Sequence, residues 1–201
     1  SGHGKIICLY PEAENPSAEV DFRIDSPNAI SGLIMNVTDP GNGADAFRGY
    51  EIGFNAGKRI LVIGKHEHNW QPIAEIPVDF EPSQWNHLRV DFNGNKATIL
   101  LNGNRIHEFE DTNNPLTKGR VGLRSFDGSA SFRNLSIGGN AVAFNALPVG
   151  ITNFRHYDYN WTTDGTNLSS ATPGHAKIIY TGSEMEKGTA EVTLRHDGDR
   201  A

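Results

Sequence analysis

Two Asn-Gly pairs, Asn93-Gly94 and Asn102-Gly103, each stand between runs of branched aliphatic and aromatic residues. Asn-Gly accepts the positive φ angles of a type I′ turn, so each pair predicts a tight hairpin. Ahead of the first, Leu88, Val90 and Phe92 alternate with His87, Arg89 and Asp91, the period of a strand with one buried face. The stretch from Trp85 to Ile137 (WNHLRVDF, KATILL, RIHEFED, then GRVGLRSFDGSASFRNLSI) is therefore an antiparallel meander with at least two further strands behind it.

The remaining segments fit the same scheme. Residues 4–9 and 17–24 read as strands, and in the second Val20, Phe22 and Ile24 share a face opposite Glu19, Asp21 and Arg23. Residues 30–37 (ISGLIMNV) form a near-continuous apolar run, which suits a central strand buried on both sides. After a loop broken by Pro40 and Gly41, GYEIGF alternates Tyr50, Ile52 and Phe54, and RILVIG follows. In QPIAEIPVDF two prolines predict an edge strand. No window holds a helical period. Short strands at this spacing mean a sandwich or barrel.

Composition excludes several functions. With 18 Lys and Arg against 24 Asp and Glu the formal net charge is −6, which argues against binding nucleic acid, whose partners carry a basic stripe. No apolar run reaches the roughly 18–20 residues of a membrane-spanning helix. The one cysteine, Cys8, sits among Ile6, Ile7 and Leu9 and reads as a small buried hydrophobe.

The chain also repeats itself. Set without a gap beneath residues 1–25, residues 173–197 are identical at Gly2/Gly174, His3/His175, Lys5/Lys177, Ile6/Ile178, Ile7/Ile179, Glu12/Glu184, Glu14/Glu186, Ala18/Ala190, Glu19/Glu191, Val20/Val192, Arg23/Arg195 and Asp25/Asp197. The offset of 172 residues is domain-sized, so this is a duplicated domain, not a short solenoid repeat. The expected organisation is one sandwich over residues 1–140, a linker or strap over 141–154, and the first part of a second tandem copy over 155–201. That last segment is short enough to complete the first sandwich instead. It would do so within one chain, which effective concentration favours, or between two chains as a domain-swapped dimer.

The succession GYEIGF, RILVIGKHEHNW, WNHLRVDFNGNKATILLNG and GRVGLRSFDGSASFRNLSI resembles concanavalin A-like (laminin-G-like) jelly-roll domains of bacterial glycan-degrading proteins. It is similar above all to carbohydrate-binding modules of the family-sixty-six type, which accompany fructan-degrading enzymes, and to the 3-keto-disaccharide hydrolase type of sandwich. The resemblance covers about residues 1–138. It implies an all-β, antiparallel two-sheet jelly-roll sandwich, with a face or loop rim able to take a sugar. The function it implies is non-catalytic binding of an oligo- or polysaccharide, fructan among the candidates, by one module of a secreted, periplasmic or cell-surface protein. Two alternatives stand beside it: a structural spacer or protein-interaction sandwich, and a hydrolase acting on modified disaccharides.

Sugar recognition needs Arg and carboxylates for paired contacts with neighbouring hydroxyls, and an aromatic ring to cover the apolar face of the sugar. Glu19 and Arg23 share the outward face of their strand, as a ligand contact or as a surface ion pair. Arg48 stands at a strand entrance, and Glu51 faces outward if Tyr50 is core. Trp70 is either a sugar platform or a plug over the core. The resemblance implies ligand contact at the last hairpin, where Arg124 and Asp127 lie, although Asp127-Gly128 also reads as a plain turn. Asp39, Asn42 and Asp45 offer the oxygen ligands Ca²⁺ prefers, without the full spacing of a calcium loop. His66 and His68 are spaced as two zinc ligands with no third fixed by sequence. No catalytic signature is recognisable.

Overall fold

The computed structural model describes residues 3–8, 12–142, 154–157, 160–163 and 167–171. The strands are β1 His3–Cys8, β2 Ala13–Glu14, β3 Ser17–Ile24, β4 Ile30–Thr38, β5 Arg48–Asn55, β6 Ile60–Glu67, β7 Trp70–Pro77 and β8 Asn86–Asn93. They continue as β9 Lys96–Leu101, β10 Asn104–Glu110, β11 Lys118–Phe126, β12 Ala130–Ile137, β13 Asn140–Ala141, β14 Phe154–Tyr157, β15 Asn160–Thr163 and β16 Asn167–Ala171. They form two antiparallel sheets, in the orders β14-β1-β11-β4-β5-β6-β7 and β10-β9-β8-β3-β12-β16-β15. The fold is a two-sheet jelly-roll sandwich. The repeat at 173–197 and most of the expected strap lie outside the described residues.

The alternation seen in sequence sets which face is core. Val20, Phe22 and Ile24 of β3, Leu88, Val90 and Phe92 of β8, and Tyr50, Ile52 and Phe54 of β5 all point between the sheets. Phe22 and Phe54 meet across the gap with ring centroids 5.0 Å apart, and Tyr50 stacks on Phe92 at 5.3 Å. Burying side chains of this size contributes about 2 kcal/mol each, so this slab is the main stabilising term. As the two prolines predict, β7 is the edge of the first sheet, where a missing N–H has no ladder to break.

The two hairpins close differently. Asn102 (φ 50°) and Gly103 (φ 80°) both take positive φ, the expected type I′ turn. At the other hairpin Asn93 stays in the ladder opposite Lys96, and the loop is Gly94–Asn95 with positive φ at Gly94 (61°). That is the type II′ pattern, with glycine in the first central position, not the type I′ expected of Asn93-Gly94.

β4 is buried on both faces, as its unbroken apolar run predicts. One face meets the core, while Ile34 and Val37 join Ile7 and Phe47 in a small outer cluster. Phe47 comes from the loop between β4 and β5, which folds back across the outer face of the first sheet. The backbone closes this loop through Gly41 N–H to the Ala46 carbonyl (2.6 Å) and His68 N–H to the Phe47 carbonyl (3.0 Å).

At one end of the sandwich Lys65 follows Leu61 and Ile63 inward. Its ammonium donates to Asp111 Oδ2 (2.8 Å) and to the carbonyls of Asn113 (2.8 Å) and Asn114 (2.7 Å). The Tyr50 hydroxyl donates to the same Asp111 oxygen (2.6 Å) and accepts from Leu116 N–H (3.0 Å). Burial pushes the Asp111 carboxyl up, but the Lys65 and Tyr50 bonds outweigh it and hold the group below its usual range. Burial, reinforced by Asp111, pushes the Tyr50 hydroxyl up. All three N–H donors of the ammonium are spent on tying down the β10–β11 loop.

Candidate functional site

The outer face of the first sheet carries an unusual set of side chains. The residues that alternate with its core positions include Gly32 on β4, Gly49, Glu51 and Gly53 on β5, Gly64 and His66 on β6, and Gly122 and Arg124 on β11. Register brings the charged ones together. Arg124 lies opposite Gly32, which lies opposite Gly53, so no side chain on β4 separates Arg124 from Glu51 on β5. Glu51 lies opposite Gly64 and His66 opposite Gly49, so Glu51 and His66 sit side by side above a glycine floor.

The result is a buried charged cluster. Arg124 Nη1 donates to Glu51 Oε2, and Arg124 Nη2 donates to Asp45 Oδ1 (3.2 Å) and to the Ala44 carbonyl (3.4 Å). His66 Nε2 lies 3.0 Å from the same Glu51 oxygen, and its Nδ1 lies 3.4 Å from Asp45 Oδ1. The imidazole is 0% exposed, stacked on Phe47 at 4.2 Å and tilted against Trp70 at 5.0 Å. Burial pushes the Glu51 carboxyl up, but the Arg124 charge and the His66 bond outweigh it, so the group stays ionised well below the usual carboxylate range. Breaking such a pair costs about 3–5 kcal/mol, yet apolar residues of similar volume would serve stability as well or better. Its chemistry is more than packing requires.

The cluster opens into a pocket of about 290 Å³. Asp45, Glu51, Glu75 and Arg124 supply its polar lining, and Ile30, Val62, Trp70 and Phe126 the apolar part. Trp70 is 36% exposed and lies flat where a side chain at position 64 would be, since a Cβ on Gly64 would stand 2.1 Å from its ring. The Arg124 guanidinium packs over Phe126 at 5.1 Å. This is the combination of aromatic cover and planar charged groups that saccharides need. Another depression of about 320 Å³ runs along β10, bounded by Arg105, Ile106, His107 and Glu108. Four consecutive residues of an edge strand line it, and no groups from elsewhere converge there.

Of the residues singled out in sequence, the structure brings Glu51, Trp70 and Arg124 together in this pocket. Asp45 joins them as a partner of Arg124. Asp39 instead faces His68 (2.9 Å), and among the described residues no three His, Cys, Asp or Glu side chains converge as metal ligands. His68 leaves the strand with positive φ (60°), so it does not stand beside His66. Arg48 pairs with Glu67 (3.5 Å) across the strand from Glu51. Asp127 occupies the β11–β12 turn with φ 59°. Glu19 and Arg23 lie on the second sheet, beyond the core, where Glu19 faces His87 and Arg23 bonds Asp25 and covers Trp85. Sequence reasoning missed His66 as the partner of Glu51, and also Glu75 and Phe126. The signal was present in the alternation of glycine with a charged residue on β5, β6 and β11.

Residues 1–138 match the family described as the 3-keto-alpha-glucoside-1,2-lyase-like domain. Among solved structures, the carbohydrate-binding module CBM66 from Bacillus subtilis is 21% identical, with a TM-score of 0.58, over 68% of this chain and 83% of that one. A Bacillus subtilis protein of unknown function with a galectin-like fold is 15% identical, with a TM-score of 0.57, over 67% of this chain and 76% of that one. These two likenesses show the shared sandwich fold. No curated protein matches significantly.

Proposed function

The chain belongs to the 3-keto-alpha-glucoside-1,2-lyase-like domain family, and from that premise we propose that its outer-face pocket binds carbohydrate without transforming it. One observation carries this reading: Trp70 and Phe126 flank a cluster of Arg124, Glu51, Asp45 and Glu75 in a single pocket. Trp70 covers the apolar face of the sugar, and the carboxylates accept from its hydroxyls. Arg124 holds Glu51 and Asp45 in place. The name of the CBM66 relative agrees with this reading.

In this reading residues 1–140, completed by β14 on β1 and β16 on β12, form one module of a longer secreted bacterial protein that degrades polysaccharide. The module holds its parent near a glycan and raises effective concentration. The test is a binding array of fructans, plant β-glycans and host glycans. Millimolar or tighter binding that falls at least about tenfold in Trp70→Ala is expected, a loss of the size carried by one stacked aromatic anchor. Absence of binding across the array contradicts the reading.

The family description supports a second reading, elimination from a 3-keto-glucoside, and the Glu51–His66 contact at 3.0 Å favours it. A pocket base would take the proton from C2, which the neighbouring ketone acidifies. The released pair forms the C1=C2 double bond, the C1–O1 bond breaks, and the leaving oxygen takes up a proton. Turnover of a 3-keto-glucoside by the wild type, abolished in Glu51→Gln, would establish this reading over the first.

A further inference from the structure

A sugar entering the pocket meets acceptors far more than donors. The polar side chains lining it are three carboxylates, Asp45, Glu51 and Glu75, and one guanidinium, Arg124. That guanidinium is already engaged, Nη1 with Glu51 and Nη2 with Asp45 and the Ala44 carbonyl. His66 directs Nε2 at Glu51. Lys5, also on the outer face, directs its ammonium to the Gly43 carbonyl and lies over the Phe47 ring at 5.5 Å, and it does not line the pocket. Glu75 stands opposite Val62 on the edge strand and makes no ion pair among the described residues. Three carboxylates against one guanidinium make the lining formally doubly negative.

An ionised carboxylate accepts and never donates, and three of the five N–H groups of the one cation are already engaged. We propose that the pocket selects saccharides by charge, taking neutral and amine-bearing sugars and rejecting those that carry carboxylate, sulfate or phosphate. This rests on the carbohydrate-binding reading and names the ligand class of that same pocket. Hydroxyls donate to Asp45 and Glu75, and an ammonium does so with opposite charge. An acidic sugar sets acceptors against acceptors and like charge against like charge, in a half-enclosed site where water screens incompletely.

The test uses matched trios of monosaccharides as probes: the neutral hexose, its 2-amino-2-deoxy form and its uronate, each in the gluco, galacto and manno series. Affinities for the whole chain are measured by saturation-transfer NMR at pH 7, at low and at physiological ionic strength. In any series that binds, the amino sugar is expected to bind at least about threefold tighter than the neutral one and the uronate at least about tenfold weaker. Both ratios should shrink as salt is added. Glu75→Gln is expected to bring the amine-to-neutral ratio toward one. A uronate that binds as well as its neutral partner, or three equal affinities, overturns the inference and leaves the carbohydrate-binding reading intact. Absence of binding in every series overturns the inference, and the glycan array alone decides the carbohydrate-binding reading.

Discussion

Glu51 is the residue on which the outer face turns, and its titration is measurable. Its folded-state carboxyl is held below the ordinary value of 4.5, so the unfolded chain binds the proton more readily. The stability it contributes is therefore fully present above about pH 4.5 and is lost as pH falls through the lowered folded value. Urea denaturation from pH 7 to pH 3 should show Glu51→Gln less stable at pH 7 by about 3 kcal/mol, because Arg124 is left buried without its charge partner. The variant should also lose less on acidification than the wild type. It keeps an acid limb, since Asp21 and Asp111 are held low as well. Parallel curves would mean that Glu51 titrates alike in the folded and unfolded chain, and that its carboxyl is not held low. Gly64 offers a second test at this scale. A methyl group there would meet the far end of the Trp70 ring, which swings aside at small cost to the fold. Gly64→Ala should therefore leave the urea midpoint nearly unchanged while weakening glycan binding several-fold. Unaltered binding would show that the ring is no platform.

Among the elements, the strands were legible where one face is buried and the other wet. β3 runs over 17–24 as its alternation predicts, and the proline-bearing β7 is an edge. The type of the first hairpin turn was not legible, because Asn-Gly fits either register and the ladder pairing of Asn93 with Lys96 decides it. Nor was the inward direction of Lys65 singled out, since a lysine at a core position makes sense only once Asp111 and the β10–β11 loop are in place. That knot carries its own prediction. Lys65→Met removes the charge that compensates buried Asp111 and should cost about 3 kcal/mol in urea denaturation. Hydrogen exchange should quicken first in residues 111–117, whose carbonyls at Asn113 and Asn114 lose their donor. Uniform loosening of the whole sandwich would contradict an anchoring role confined to this loop.

For the molecule as a whole, the sandwich was legible and half of its pocket was. Alternation placed Glu51 outward, Trp70 was a candidate on chemical grounds, and Arg124 was one through the family resemblance. Nothing in one dimension joins Glu51 to Arg124, 73 positions away. They meet only because β4 intervenes between β11 and β5 and presents Gly32 at the crossing. Glu19 and Arg23 show the converse. Outward-facing residues of the right chemistry occur on both sheets, and local periodicity cannot tell one outer face from the other. The pairing of β14 with β1 and of β16 with β12 also has a consequence at this scale. A chain ending at residue 142 exposes both strand edges, and open edges invite pairing with a second chain. Such a truncation should self-associate in sedimentation experiments more than the full chain does, and equal behaviour would count against a role for those strands in completing the sheets.

Where the glycan sits on the molecule is located directly by backbone and side-chain NMR shift mapping with the tightest glycan from the array. The predicted result is a saturable set of shifts centred on Glu51, Val62, Trp70, Glu75 and Arg124, with the Trp70 indole N–H among the largest. Shifts centred instead on Glu19, Arg23 and Trp85, on the outer face of the second sheet, would contradict it.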